Sequence, residues 1–62
     1  MTGIIKSFSP KNGYGFISGG SQDVFFHHKD WLSEGKPEQG TEVWFLLKKT
    51  DKGYRAYKVR RL

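Results

Sequence analysis

Short runs of alternating apolar and polar residues, separated by turn signals, recur along this whole chain. No stretch sustains the i, i+3, i+4, i+7 apolar spacing of an amphipathic helix. The alternation predicts five strands, over residues 3–8, 14–18, about 22–28, 41–48 and 54–61. Five short strands in so small a chain favour an all-β fold, a five-stranded antiparallel OB-type β-barrel. Closure of such a barrel removes the exposed strand edges that would otherwise aggregate.

The length of 62 residues predicts a single domain, residues 1–62, near the lower limit of what folds without added staples. The chain has no cysteine, which excludes disulfides and zinc–thiolate sites. Two adjacent histidines are too few for a metal site, so we expect neither a metal nor a cofactor. No apolar run reaches the roughly 20 residues of a membrane span, and no signal peptide is evident. We expect a cytoplasmic protein that does not bind membranes.

Alternation within the strands also separates an inner face from an outer face. Nine apolar side chains are predicted to form the core: Ile5, Ile17, Val24, Phe26, Val43, Phe45, Leu47, Ala56 and Val59. The polar segment 29–40 is predicted to be a long loop with one helical turn near residues 30–32. Trp31, in this loop, is interpreted as a cap on the core, with a loop-borne stacking residue as the alternative.

The charge of the chain is positive and unevenly distributed. The formal net charge is +5, and the segment from Lys48 to the end holds seven basic residues against Asp51 alone. Two Trp, three Tyr and five Phe accompany this charge. A basic chain rich in aromatic residues indicates a polyanionic partner that contacts exposed rings.

Two neighbouring segments carry the main functional signal. Residues 11–17 are Lys-Asn-Gly-Tyr-Gly-Phe-Ile, and residues 23–28 are Asp-Val-Phe-Phe-His-His. On strands, Tyr14 and Phe16 share one face, as do Phe25 and His27. The glycines around these rings are expected to leave them uncovered. A sheet that displays several rings amid lysines is suited to stacking on unpaired bases.

These motifs resemble those of the cold-shock domain family. Residues 3–8 are similar to the family's opening Gly-x-Val-Lys-Trp-Phe. Residues 12–17 resemble its first ribonucleoprotein motif, Lys-Gly-Phe-Gly-Phe-Ile, and residues 23–28 resemble its second, Asp-Val-Phe-Val-His-Phe. Residues 53–59 are similar to Gly-Pro-Gln-Ala-Ala-Asn-Val near the family's end. The resemblance spans essentially the whole chain and implies an OB-fold barrel that binds single-stranded RNA and DNA.

The resemblance also implies a set of nucleic-acid-binding residues. They are Lys6, Phe8, Lys11, Tyr14, Phe16, Asp23, Phe25, His27, His28, Arg55 and Lys58. The rings would stack bases, Lys6 and Lys11 would contact phosphate, and Asp23 would accept a hydrogen bond from a base edge. Arg55 or Lys58 would add positive charge beside the groove. The implied function is that of an RNA chaperone that affects translation or transcription.

Three departures from the family pattern predict weaker or differently shaped binding. Ser7 occupies the position of a base-stacking Trp, and Asn12 replaces the lysine of the first motif. The loop after the third strand is about two residues short and has no Phe at its tip. His28 stands where the family usually has Phe, although its imidazole can still stack.

The fourth strand is apolar on both faces over residues 43–47. If Val43 and Phe45 point inward, Trp44 and Leu46 point outward. Three interpretations follow: the long loop or the last strand covers them, they form a self-association or partner surface, or Trp44 is an extra stacking site. A monomer is expected, with a dimer through Trp44 and Leu46 as the alternative.

No enzyme is expected from this sequence. It has no catalytic serine or cysteine motif, no phosphate-binding glycine loop before a helix and no paired carboxylates. A metal-free nuclease that uses His27 and His28 is a weak alternative. The second class of function is an OB-type protein-interaction module that uses the apolar fourth strand.

Overall fold

The computed structural model describes residues 1–62 and contains five strands and one short 3₁₀ turn. The strands are β1 (Thr2–Ser9), β2 (Tyr14–Gly19), β3 (Gln22–His27), β4 (Glu42–Thr50) and β5 (Gly53–Arg61). Their bounds lie within two residues of the predicted ones. The single helical element is the three-residue turn His28–Asp30, so no helix has the length to cross a membrane.

The helical turn begins two residues earlier than the sequence predicted. Its start is fixed by a reciprocal cap around His27. Asp30 Oδ2 accepts a hydrogen bond from the His27 backbone N–H at 3.0 Å, and His27 Nδ1 accepts one from the Lys29 N–H at 3.2 Å. The cap satisfies backbone donors that a helix start leaves open, so the turn forms directly at the end of β3.

The strands close into a barrel in the order β1-β2-β3-β5-β4, with β4 paired to β1. The predicted five-stranded closed barrel is therefore confirmed. Four of the five pairings are antiparallel, while β3 and β5 pair in parallel. A ring with an odd number of strands cannot alternate direction throughout, so one parallel pairing is unavoidable. It falls at the seam where Phe25 is opposite Arg55.

Eight of the nine predicted core residues are buried. They are Ile5, Ile17, Val24, Phe26, Val43, Phe45, Ala56 and Val59. The prediction was wrong for Leu47, which is 36% exposed. Leu47 follows the inward alternation of β4, but it lies at the end of the barrel in an open depression shared with Met1 and Tyr54. Trp31 packs against the core as predicted, together with Phe8.

Gly15 is required by the close approach of β1 and β2. A Cβ atom at this position would lie 2.2 Å from the Ser7 carbonyl oxygen and 2.9 Å from the Phe8 Cα. Gly15 is buried, whereas Tyr14 and Phe16 on either side of it are exposed. The expectation that this glycine leaves the rings uncovered was wrong, because Gly15 lies on the opposite face of the strand. It permits strand packing instead.

The long loop after the helical turn is held by Arg61 at the end of β5. The Arg61 guanidinium donates to the carbonyl oxygens of Glu34 and Lys36, and the Arg61 backbone N–H donates to Ser33 Oγ at 2.9 Å. The guanidinium also lies 5.1 Å from the centre of the Trp31 ring. One of the C-terminal cations is thus committed to the loop rather than free for a partner.

Lys58 adopts a left-handed backbone conformation, with φ of 52°. It lies in an irregularity of the β4–β5 pairing, where Trp44 is opposite Arg60 and Leu46 is opposite Tyr57. Trp44 and Leu46 of β4 are separated by Phe45 alone, whereas their partners in β5, Arg60 and Tyr57, are separated by two residues. Strand β5 therefore carries one extra residue here. An L-residue with a Cβ pays about 1–2 kcal/mol for this conformation, while Asn adopts it more readily.

We expect Lys58→Asn to raise the free energy of unfolding by about 0.5–1 kcal/mol, because it relieves this backbone cost. Asn is also the residue that the resembling family motif has at this position. Urea denaturation measures the change, and Lys49→Asn is the control. Lys49 is exposed on β4 and loses the same charge, but it has ordinary strand geometry. Equal effects of the two substitutions would contradict the prediction.

Candidate nucleic-acid interface

Three aromatic side chains lie together on the outer surface of β2 and β3, and we call them the ring cluster: Tyr14, Phe16 and Phe25. The ring centre of Phe25 lies 5.6 Å from that of Tyr14 and 5.9 Å from that of Phe16. Tyr14 and Phe16 lie 6.4 Å apart. Tyr14 is 38% exposed, Phe16 is 37% exposed and Phe25 is half-buried. The structure thus brings these predicted residues together at the surface.

The register between β2 and β3 explains why the rings meet. Phe16 is directly opposite Phe25, and Tyr14 is opposite His27. The next pair along the two strands, Ile17 opposite Val24, points into the core and is buried. Because the period of a strand is two, filling the core with one alternate set of side chains leaves the other set, with its rings, on the solvent side. Clustered apolar rings at a surface mark a binding site more often than a packing role.

His27 and His28 extend the aromatic surface at the end of β3. Their ring centres are 4.3 Å apart, and His27 is half-buried while His28 is exposed. Partial burial lowers the pKa of His27 below its ordinary value of 6.5, and the neighbouring His28 and Lys29 lower it further, against an opposing effect of Asp30. Nδ1 of His27 already accepts the Lys29 N–H, so this imidazole is neutral near pH 7.

This lowered pKa predicts the pH dependence of stability. The unfolded chain binds a proton at His27 near pH 6.5, whereas the folded chain binds it only at lower pH. The contribution of His27 is therefore complete above pH 6.5 and is lost as the pH falls through the folded-state pKa. We expect the thermal midpoint to fall between about pH 8 and pH 5, and to fall less in His27→Asn.

Asn is the matched variant because its side-chain oxygen can accept the bond that His27 Nδ1 accepts, yet it does not titrate. Calorimetric or circular-dichroism melts over the pH series measure the difference between the two proteins. Identical pH profiles for wild type and His27→Asn would show that His27 has no shifted pKa.

Two further predicted residues, Lys6 and Asp23, are paired with each other. Lys6 Nζ lies 2.8 Å from Asp23 Oδ2, and their side chains are 58% and 49% exposed. An exposed ion pair of this kind contributes about 0–1 kcal/mol, so a ligand can exchange with either partner at little cost. Both groups are thus available at the edge of the interface.

Arg55 reaches the ring cluster from β5. Its guanidinium lies 5.8 Å from the Phe25 ring centre and donates to Asp30 Oδ2 at 3.2 Å. Asp30 is buried and also accepts the His27 N–H, so one carboxylate positions both groups. Part of the Arg55 charge is therefore neutralised internally, which the sequence did not predict.

A groove beside Phe16, Phe25 and Arg55 contains residues that the sequence analysis missed. The turn between β4 and β5 brings Lys52 and Tyr54 into its wall. The local sequence marks 51–53 only as a turn. Its position against the rings depends on the parallel pairing of β3 with β5, which no local pattern encodes.

Phe8, Lys11 and His28 line a second groove, between the β1–β2 loop and the long loop. Trp31 and Lys36 form its far wall. The Phe8 ring stacks on buried Phe26 at 5.7 Å and 19°, so part of its surface serves the core.

The remaining predicted residue, Lys58, lines neither groove. It is exposed on β5, at the irregularity described above. No three His, Cys, Asp or Glu side chains come close enough together to hold a metal ion. The rings, the Lys6–Asp23 pair and Arg55 offer stacking, ion pairing and hydrogen bonding.

Comparison with known proteins agrees with this geometry. The chain is 42% identical to "Cold shock-like protein CspA" of Vibrio cholerae, over 100% of this chain and 94% of that protein. It is 38% identical to "Cold shock-like protein CspB" of Bacillus cereus, over the full length of both. The solved structure "drosophila Unr CSD456" superposes on 98% of this chain with a TM-score of 0.82. At 23% identity, and with 26% of that chain covered, this likeness shows the fold.

The family model described as 'Cold-shock' DNA-binding domain matches residues 1–62, the whole length of the chain. The match covers both strand motifs that carry the ring cluster and the β4–β5 hairpin that walls the groove. The chain belongs to the cold-shock domain family, whose members generally bind nucleic acid.

Proposed function

We propose that this protein binds single-stranded RNA or DNA as a monomer, by stacking unpaired bases on the ring cluster. The main support for this proposal is the cluster itself, in which the centres of three rings lie within 6.4 Å of one another and the rings remain partly exposed. Each stacked base contributes about 1–3 kcal/mol, and stacking tolerates any sequence because every base has a π-face. His27 extends the stacking surface with a neutral imidazole.

Positive charge beside the rings supplies the second part of the binding. Lys6 and Lys11 are exposed on either side of the β1 strand end, and Lys52 lies in the wall of the groove. When a strand binds, Lys6 exchanges Asp23 for a phosphate. Asp23 is then free to accept a hydrogen bond from a base amino group. Affinity depends on salt, because each neutralised phosphate releases counterions.

Bases that are stacked on protein rings cannot pair with one another. Binding therefore keeps RNA unpaired and opens weak secondary structure without chemistry, which is the action of an RNA chaperone. Regulation of translation or of transcription termination would follow from the structures that are kept open.

Titration of fluorescent oligothymidine and oligouridine, with a duplex as control, tests this function. We expect saturable binding of the single strands, with quenching of tyrosine and tryptophan emission, and much weaker binding of the duplex. The logarithm of the affinity should fall with the logarithm of salt by about 0.7 per contacted phosphate. Equal affinity for duplex, or no binding of either strand at low salt, would refute the proposal. The second result together with self-association would favour a protein-interaction module instead.

A further inference from the structure

A second surface of alternating rings and cations lies on the outer side of β4 and β5, and we call it the hairpin face. Its members are Trp44, Leu46, Lys48, Arg55, Tyr57 and Arg60. Their strand neighbours Val43, Phe45, Ala56 and Val59 are buried, so the members point away from the core. Leu46 is 43% exposed, and Trp44 and Tyr57 are half-buried.

Cations lie over the rings of the hairpin face. The Arg60 guanidinium lies 4.7 Å from the Trp44 ring centre. Tyr57 has the Arg55 guanidinium at 4.7 Å and Lys48 Nζ at 5.6 Å. A guanidinium that lies over a ring is a flat, charged surface, and unpaired bases stack on guanidinium planes as well as on rings. One interpretation of Trp44 was that the last strand covers it. Arg60 of that strand lies over the ring, but Trp44 is only half-buried, so the coverage is partial.

The hairpin face is continuous with the ring cluster. Phe25 on β3 and Arg55 on β5 are opposite each other at the parallel seam. The Arg55 guanidinium lies 5.8 Å from the Phe25 ring and 4.7 Å from the Tyr57 ring, so it contacts one ring on each side of the seam. A strand that leaves Phe25 can therefore pass over Arg55 to Tyr57 without crossing an uncharged gap.

Charge decides which partner fits this face. The hairpin face carries three cations, Lys48, Arg55 and Arg60, and the only carboxylate in β4 and β5 is Glu42, at the first position of β4. A second copy of the chain would place Lys48 and Arg60 against the same cations, which costs free energy. A polyanion meets the same surface with complementary charge. This charge favours a polyanion over a second copy of the chain, the alternative in which Trp44 and Leu46 form a dimer.

We propose that the hairpin face is a second part of the single-strand path, reached from the ring cluster across the Arg55 seam. The inference rests on the proposed function and deepens it, since it assigns additional nucleotides to this side of the barrel. It gives the chain stacking contacts that its sequence lacks at Ser7. Short ligands occupy the ring cluster alone, and longer ligands occupy both surfaces.

Oligothymidines of about six and about 14 nucleotides bracket the range of roughly 4–16 nucleotides that one OB barrel covers. The test variant is Tyr57→Ser/Arg60→Ser, with its fold checked by circular dichroism. The control is Lys49→Ser, which also removes one positive charge but lies on the other face of β4 from Lys48. We expect the test variant to bind the short ligand within a few-fold of wild type. Its affinity for the long ligand should fall about 5- to 150-fold, while the control stays near wild type.

A second measurement uses a variant in which the hairpin face is unchanged. In Trp31→Phe, Trp44 is the only tryptophan, and its emission should be quenched by the long ligand but not by the short one. Unchanged Trp44 emission with both ligands, or long-ligand binding that is unaffected in the test variant, overturns the inference. Concentration-dependent dimerisation that is lost in Leu46→Ser also overturns it. If wild type binds neither ligand at low salt, the proposed function fails and the inference fails with it.

Discussion

Replacing Phe16 with alanine is expected to weaken binding of single-stranded oligothymidine about 5- to 150-fold and to leave the fold intact. Phe16 occupies one side of the ring cluster, 6.4 Å from Tyr14 and 5.9 Å from Phe25, so its loss removes one stacking position and loosens the other two. The expected factor corresponds to the 1–3 kcal/mol that one stacked base typically contributes. Fluorescence anisotropy measures the affinity.

The stability change in Phe16→Ala should stay below about 1 kcal/mol, because the ring is 37% exposed and lies outside the core. Ile17→Ala is the matched control from the next position of the same strand. Ile17 is fully buried, so its truncation should cost about 2–5 kcal/mol of unfolding free energy, while the folded fraction retains its rings. If Phe16→Ala unfolds the chain as Ile17→Ala does, the ring belongs to the core and the interface is misassigned.

Local alternation was sufficient to predict the strands and most of the core, because each face of a barrel strand repeats every second residue. It failed at Leu47, which follows the inward pattern of Val43 and Phe45 but is 36% exposed. Periodicity indicates the direction in which a side chain points. Whether anything covers that side chain depends on where the barrel ends, which is a property of the closed structure.

The ring cluster could be predicted for the same reason, since Tyr14, Phe16 and Phe25 lie on two consecutive strands joined by a short turn. The contacts that β5 makes with this cluster could not be predicted in this way. Arg55 was expected to add charge beside the groove, but its contacts with Phe25 and Asp30 arise from the parallel β3–β5 seam. Lys52 enters the groove wall through the same long-range pairing.

Tertiary contacts also decide which of the C-terminal cations are engaged within the fold. The sequence shows seven basic residues after position 47 as one block of charge. In the structure Arg61 holds the long loop, Arg55 neutralises buried Asp30, and Arg60 lies over Trp44. Net charge indicates the class of partner, whereas the distribution of free charge over the surface depends on these tertiary contacts.

Introducing tryptophan at Ser7 is expected to strengthen single-strand binding about 5- to 150-fold, because it adds one stacking ring next to Phe16. Ser7 is exposed on β1 and directly opposite Phe16 in the β1–β2 register. The strand irregularity between Ile5 and Ser7 directs both Lys6 and Ser7 toward solvent, so a large side chain has room there. The resembling family motif has Trp at this position.

Ser21→Trp is the control for Ser7→Trp, since Ser21 is exposed in the β2–β3 turn and lies outside both grooves. The same titration with short oligothymidine compares both variants with wild type, and thermal melts verify their folds. A gain at position 7 alone places the bound strand across β1, beside Phe16. Equal gains in affinity for both variants would reflect non-specific binding by an added indole. A folded Ser7→Trp protein with wild-type affinity would show that the strand does not pass over β1, and the path of the ligand over the ring cluster would have to be redrawn.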